Sequence, residues 1–443
     1  MQLLKRPVYF LLLLSLCAAC APLPSPAATA TATPLPPTAS PAPTRVTEAL
    51  RALPSAQPGQ PQQTFLQVER LRGLEARQAL VTSVVPQAEI DRFTRAALLA
   101  AWPLPSLERD ARLLQRFGLA ETELDLEDLS LALGLDAAVV SELPDDSLAL
   151  SSDLRGVDDD LAQVACAYDR WLLVGSIPGL ASGLAAEACM ADADACLATR
   201  ALAQGDAALL AEQWQRTFGV ASLSLHDAPS GCVASPAPID PGAPGLVRVL
   251  TFPIQQGVAF ARNLFLKAGW AGVDQAYADP PVSTEQILHP ERYPKDTPRN
   301  PDLPDLAPSL GPGWTTEDSG VLGEWRTFLV LESFLGSDEA ALAASGWDGD
   351  QYALLSSPKD SRTALVLLTR WDTVRDAHEF SGAFRTYGEN RFGPSRRAGT
   401  SLTWTTEAGV VVLDVGNDQT LWIEAPDAAS AAALRKASGF PLH

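Results

Sequence analysis

Apolar residues recur at helical spacing through the first part of the chain. Between Ala88 and Trp102, Ile90, Phe93, Ala97 and Ala101 fall on one stripe, which predicts a helix. Ser106 stands where it can cap a second helix running to Phe117, with Leu107, Ala111, Leu114 and Phe117 on one face and Gly118 as its stop. A short element is expected from Leu124 to Leu135. Val139-Val140 and Leu148-Ala149-Leu150, separated by Pro144-Asp145-Asp146, read as a small β-hairpin. Two long helices follow. Asp159 to Val174 carries Leu161, Val164, Tyr168 and Trp171 on one side, and Asp194 to Thr217 holds Gly205 in its interior. A glycine there costs about 1 kcal/mol relative to alanine, so it signals the close approach of another backbone or of a site. Residues 221–248 are rich in Pro and Gly and read as loop. Gln256 to Ala268 is a third helix, with Val258, Ala261 and Phe265 inward and Gly269 closing it.

Residues 278–320 contain many prolines and read as an irregular crossing. Beyond Val321 the period shortens. Arg326 to Phe334 fits a strand or a helix, and Ser337 caps a short helix to Ser345. Gln351–Leu355 and Ala364–Leu368 form a hairpin around Pro358-Lys359-Asp360. Asp372 caps a helix with Ala377, Phe380, Phe384 and Tyr387 inward, ending at Gly388. Three strands, Ser401–Thr405, Val410–Val415 and Thr420–Glu424, precede a last helix over 426–437. The expectation is an α+β protein: a mainly helical part over 46–320, then an antiparallel sheet with packing helices over 321–443. Asp348-Gly349-Asp350 has too few oxygen ligands after it for a calcium loop and reads as a turn.

The N-terminus changes the picture. Lys5 and Arg6 precede an apolar run, Val8 to Leu16, too short for a transmembrane helix of roughly 20 residues. Cys17-Ala18-Ala19-Cys20 then supplies small residues before a cysteine. Residues 1–19 therefore read as a lipoprotein signal peptide, Cys20 as the lipidation site, and residues 20–45, rich in Pro, Ala and Thr, as a tether. The chain is expected to be extracytoplasmic and held at a membrane through its N-terminal lipid. A net charge of −20 argues against nucleic acid as a partner. Four cysteines remain: Cys166, Cys189, Cys196 and Cys232. In an oxidising compartment they are disulfide candidates with three possible pairings, of which Cys189–Cys196 is the easiest to close. Four thiolates on zinc is the alternative, though no Cys-x-x-Cys knuckle is present.

One stretch is more specific than any of these patterns: Gly269-Trp270, then Tyr277, Pro280-Pro281, Ser283-Thr284-Glu285-Gln286, His289-Pro290 and Tyr293. It resembles the signature of a family of secreted or surface-anchored bacterial proteins built like zinc metallopeptidases of the gluzincin type. Residues 68–74, Phe252-Pro253, 347–352 and the stretch from Trp371-Asp372 to Phe380 resemble that family as well. The resemblance implies a helix carrying His-Glu-x-x-His, in which two imidazoles one turn apart hold zinc and the Glu activates its water. A second helix ending near Glu-Gly-Asp-Ala would supply a third ligand. Here the second helix is close to intact as Arg200 to Ala207, with Gln204 in place of the Glu. On the first helix the corresponding positions are Ala165, Cys166 and Asp169. The four histidines, His226, His289, His378 and His443, have no partner at i+4.

The expectation is thus a degenerate member with no catalytic residues, no metal and no cofactor: a pseudoenzyme that binds a peptide or protein. Cys166 and Asp169, at i and i+3, are the remaining pair that could hold a metal weakly. Ser283, Thr284, Glu285 and His289 are candidate cleft residues. Their structural alternatives are turn capping by Ser283 and Thr284, a hydrogen bond from His289, and a Glu285–Arg292 pair. Two other functions stay open: an active hydrolase rebuilt around Cys166, Asp169 or His289, and a structural envelope lipoprotein.

Overall fold

The computed structural model describes residues 61–120, 124–219, 232, 243–357, 359 and 361–441. The signal peptide, Cys20, the tether, His226 and His443 lie outside the described residues. The described residues form one compact unit. Its helices are α1 (Pro61–Arg72), α2 (Gln87–Ala101), α3 (Leu104–Arg116), α4 (Leu126–Ala132), α5 (Asp158–Ser176), α6 (Leu180–Leu184), α7 (Ala186–Ala191), α8 (Ala193–Phe218), α9 (Pro244–Ala268), α10 (Trp270–Ala278), α11 (Thr284–Leu288), α12 (Gly323–Glu332), α13 (Ser337–Ala344), α14 (Val374–Phe392) and α15 (Ala428–Ala437). Its strands are β1 (Thr82–Val85), β2 (Val140–Glu142), β3 (Leu148–Ser151), β4 (Thr315–Gly320), β5 (Trp347–Ser357), β6 (Arg362–Trp371), β7 (Arg396–Ala398), β8 (Ser401–Thr406), β9 (Gly409–Val415) and β10 (Gln419–Ala425). The fold is α+β.

Helices α5, α8 and α9 form the centre of the helical part. Gly205 of α8 faces Gly257 of α9 so closely that a Cβ on Gly205 would lie 2.1 Å from the Gly257 carbonyl oxygen. A Cβ on Gly257 would lie 2.1 Å from the carbonyl oxygen of Ala201. The interior glycine is thus explained by backbone contact with a neighbouring helix. Helix α9 starts at Pro244, twelve residues before the expected start, and runs through Pro253. Proline inside a helix costs about 3 kcal/mol, but Leu246, Val249, Leu250 and Phe252 around it are all buried in the main core. That burial carries the helix through a residue that reads as a stop.

A small sheet has the order β1-β3-β2, with β1 parallel and β2 antiparallel to β3. Strand β1 is absent from the sequence expectation because its own burial is slight. The large sheet is antiparallel, in the order β4-β5-β6-β10-β9-β8-β7. Successive residues of a strand point to opposite faces, and here both faces are covered. In β6, Leu365 and Leu367 join the main core, while Ala364, Val366 and Leu368 join a second core under α15. In β10, Trp422 faces the first core and Leu421 and Ile423 the second. The main core continues from the helices into the sheet: the Phe117 and Trp422 rings are 5.1 Å apart, and Tyr387 Oη donates to the Phe117 carbonyl at 3.1 Å.

Several boundaries move. Pro103, not Ser106, precedes α3, and Thr373, not Asp372, caps α14. Gly388 is interior to α14, where a Cβ would come within 2.5 Å of the Trp404 ring. Asp348-Gly349-Asp350 is not a turn but part of β5, with a bulge between Trp347 and Gly349. The 278–320 crossing contains α11 and β4. Disulfides join Cys166 to Cys232 and Cys189 to Cys196, which removes the four-thiolate zinc alternative.

Substituting Gly205 or Gly257 by Ala is expected to lower stability by about 2 kcal/mol or more, because the helices must separate to admit a methyl group. Gly175 in α5 is the control. A Cβ there meets nothing within 4 Å, so Gly175→Ala should raise stability by about 0.5–1 kcal/mol. Denaturant unfolding of the three variants checks both values.

Candidate functional site

The resemblance points to the face shared by α5 and α8. Ala165, Cys166 and Asp169 are all buried on α5, at 0%, 1% and 0% exposure. Gln204 on α8 is half-buried. Ala165 has no donor atom. The Cys166 sulfur is bonded to Cys232, so it offers no thiolate, and the Cys166–Asp169 pair is excluded as a ligand set. Asp169 is left as the sole anionic donor of the set. Burial pushes its carboxyl well above the ordinary carboxylate range; the Asp206 charge pushes the same way, and Arg72 opposes them. A zinc ion of the kind the resemblance implies does not fit this donor set.

A guanidinium supplies positive charge beside these helices. Arg72, at the end of α1, donates from Nε to Asp206 Oδ1 at 3.0 Å and from Nη2 to Asp206 Oδ2 at 2.9 Å. Its Nη2 also reaches Asp274 Oδ1 at 2.6 Å. Tyr277 Oη donates to Asp206 Oδ2 at 2.9 Å, and the Trp270 ring lies 4.6 Å from the guanidinium carbon. Trp270, Asp274 and Tyr277 follow the i, i+4, i+7 spacing of one face of α10. The family-like Gly-Trp stretch therefore closes over a buried Arg–Asp pair. In the sequence, Arg72 and Asp206 stand out only as members of the family-like segments 68–74 and Arg200 to Ala207. An arginine amid apolar residues at a helix end is the signal available, because a buried guanidinium requires carboxylate partners.

Asp274 and Tyr277 also wall an open groove. One hollow of about 290 Å³ lies among Leu74, Glu75, Arg77, Ile177, Asp274 and Tyr277. A second, of about 250 Å³, shares Arg77 and Ser176 with it and adds Asp146, Trp171 and Val174. Trp171 Nε1 donates to the Asp146 carbonyl at 2.7 Å and fixes that wall. The groove runs between residues 73–78 and the C-terminal end of α5.

The candidate cleft residues lie elsewhere. Ser283, Thr284 and Glu285 are buried, at 0%, 0% and 1% exposure, and so do not line an open cleft. Ser283 caps α11 by accepting from Gln286 N. Thr284 donates from its backbone N and Oγ1 to Asp194, at 2.9 and 2.7 Å, and accepts from Trp325 N at 3.2 Å. Three helices, α8, α11 and α12, meet at that hydroxyl. Glu285 pairs with Arg292 at 2.9 Å, and His289 Nε2 lies 2.9 Å from Glu324 Oε1. Burial lowers the His289 pKa, but the hydrogen bond and charge of Glu324 outweigh it and leave it raised. Burial, with Glu324 and Asp296 nearby, pushes Glu285 up to about 9.

Burial also raises Asp194 from 3.8 to about 7, against the Thr284 hydrogen bonds. Between those values the folded protein holds a proton that the unfolded chain has released. Asp194 thus makes stability fall as pH rises from about 4 to about 7, by about 1.4 kcal/mol per pH unit where the difference is one full proton. Asp350, raised to about 6, acts in the same sense. Asp194→Asn is expected to reduce the slope of melting temperature against pH over this range without abolishing it. Thermal unfolding at a series of pH values reads the slope, and an unchanged slope contradicts the assignment.

Residues 313–435 match the model of a family described as a domain of unknown function, DUF8575. The matched residues begin just before β4 and end within α15, so they take in the whole large sheet and its helices. No curated protein and no solved structure matches the chain.

Proposed function

We propose that the chain is a lipid-anchored, extracytoplasmic binding protein whose peptidase-like scaffold holds a peptide or protein segment without hydrolysing it. The observation that carries this reading is the state of the α5 positions. A side chain without donors, a disulfide-bonded sulfur and a fully buried carboxyl stand where the resemblance implies metal ligands. The groove beside them stays open. Glu75, Asp146 and Asp274 outnumber Arg77 in its lining, around Leu74, Ile177 and Trp171, which suits an extended segment with basic and apolar side chains. Strand β1, which follows residues 73–78, is an outer strand with Val84 exposed at 72%, and Val81 just before it is exposed at 66%. Its free edge offers backbone groups to such a segment. A hydrolase rebuilt around Cys166, Asp169 or His289 has less support, because Cys166 and Asp169 are buried and His289 Nε2 is taken up by Glu324 Oε1 at 2.9 Å, away from the groove. No feature of the groove favours a purely structural envelope role.

Three measurements test this. Metal analysis of the purified mature chain should find no stoichiometric zinc, and peptide cleavage should be absent with or without chelator. Stoichiometric zinc with chelator-sensitive cleavage overturns the proposal. A peptide array should return basic, apolar-containing ligands, and Glu75→Lys should weaken them roughly tenfold by reversing a charge at the groove. Cys20→Ser should move the protein from the membrane fraction to the soluble one.

A further inference from the structure

We propose that Glu285, Asp296 and Asp372 form a binding site for a hard divalent cation, best matched by calcium, which enters in competition with Arg292. The three carboxylates come from α11, from the loop after it and from the residue following β6. One oxygen from each lies within 4.8 Å of the others. Two oxygens on one calcium ion are at most about 5 Å apart, twice a calcium–oxygen distance of about 2.5 Å. The donors are all carboxylate oxygens, with no thiolate or imidazole among them, which selects a hard cation over zinc. Calcium tolerates an irregular set drawn from separate elements better than magnesium, which requires near-ideal octahedral geometry. Asp296 and Asp372 are 36% and 29% exposed, so the ion has a route in and water can complete its shell.

Arg292 currently supplies the positive charge. Its Nη1 lies 2.9 Å from Glu285 Oε1, 3.1 Å from Asp372 Oδ2 and 3.9 Å from Asp296 Oδ2. A single guanidinium does not satisfy the site. The other oxygen of Glu285, Oε2, is buried without a hydrogen-bond partner, in a residue 1% exposed. Glu324 Oε2, also buried, has none either. Glu291, Asp348 and Asp376 add negative charge around Glu324 and Asp372, while His289 and Arg299 add positive charge. In direct contact, Glu285, Asp296, Asp372 and Glu324 meet one guanidinium, Arg292, and one imidazole, His289; burial first, and this excess of negative charge second, raise Glu285. The Arg292 side chain is 28% exposed, so it can turn outward as the ion takes its place.

The site is independent of the groove, and its test does not depend on peptide binding. Calcium chloride is titrated into the mature chain after chelator treatment, at constant ionic strength, by calorimetry and by melting temperature. The wild type should bind calcium and melt higher in its presence. Arg292→Gln, which removes the competing cation, should bind about tenfold tighter or more and regain with calcium the stability it loses without it. Glu285→Gln should bind about tenfold weaker or worse, and Asp372→Asn serves the same purpose if Glu285→Gln does not fold. Equal affinity in all variants, no heat or melting shift in wild type and Arg292→Gln, or an equal shift with magnesium would each overturn the proposal.

Discussion

The contact between α8 and α9 sets the distances on which the rest of the molecule depends. With glycine on both sides, the two backbones meet directly at Gly205 and Gly257, and the helix axes approach more closely than side chains allow. Helix α8 is buried on nearly every side, so whatever it carries must be answered by a partner. Asp194 at its start is answered by Thr284, Arg200 by the carbonyls of Ala101 and Leu184, Asp206 by Arg72, and Glu212 by Arg262 of α9. A shift of α8 would disturb all four at once, which ties α1, α9, α11 and the ends of α2 and α6 to one reference element.

The buried acids are handled in different ways. Asp206 is neutralised by a side-on guanidinium. Asp350, on the bulged start of β5, accepts from the backbone N–H groups of Leu322 and Gly323 at 2.7 and 3.0 Å and from Trp347 Nε1 at 2.7 Å. That arrangement uses the unpaired N–H groups at the start of α12 and anchors the large sheet to the helices. Glu285 has only a shared arginine. Such buried charges fix register and orientation more than they add net stability.

Much of the helix and strand order was legible because the spacing of large apolar residues is strong. Tyr387 and Phe384 mark one face of α14, and the β6 and β10 runs mark a sheet buried on both sides. Gly205 announced a close contact correctly in kind. What stayed hidden has local causes. Pro253 reads as a helix stop until the burial around it is known. Strand β1 has little apolar surface of its own and is fixed by pairing to β3. The roles of Arg72, Asp206 and Asp274 depend on residues 134 and 202 positions away along the chain. No local pattern encodes a partner at that distance. Ser283 to Glu285 read equally well as cleft or core, and only burial separates the two.

The Cys166–Cys232 bond has a further consequence. It closes a loop across 66 positions, and crosslinks of that span restrict the unfolded chain by about 4 kcal/mol. The redox state of the surroundings, more than any supply of metal, therefore governs how firmly α5 is held. A chain made in a reducing cytosol would lack that bond and the shorter one at Cys189–Cys196. It would be a weaker version of the molecule than one folded where thiols are oxidised.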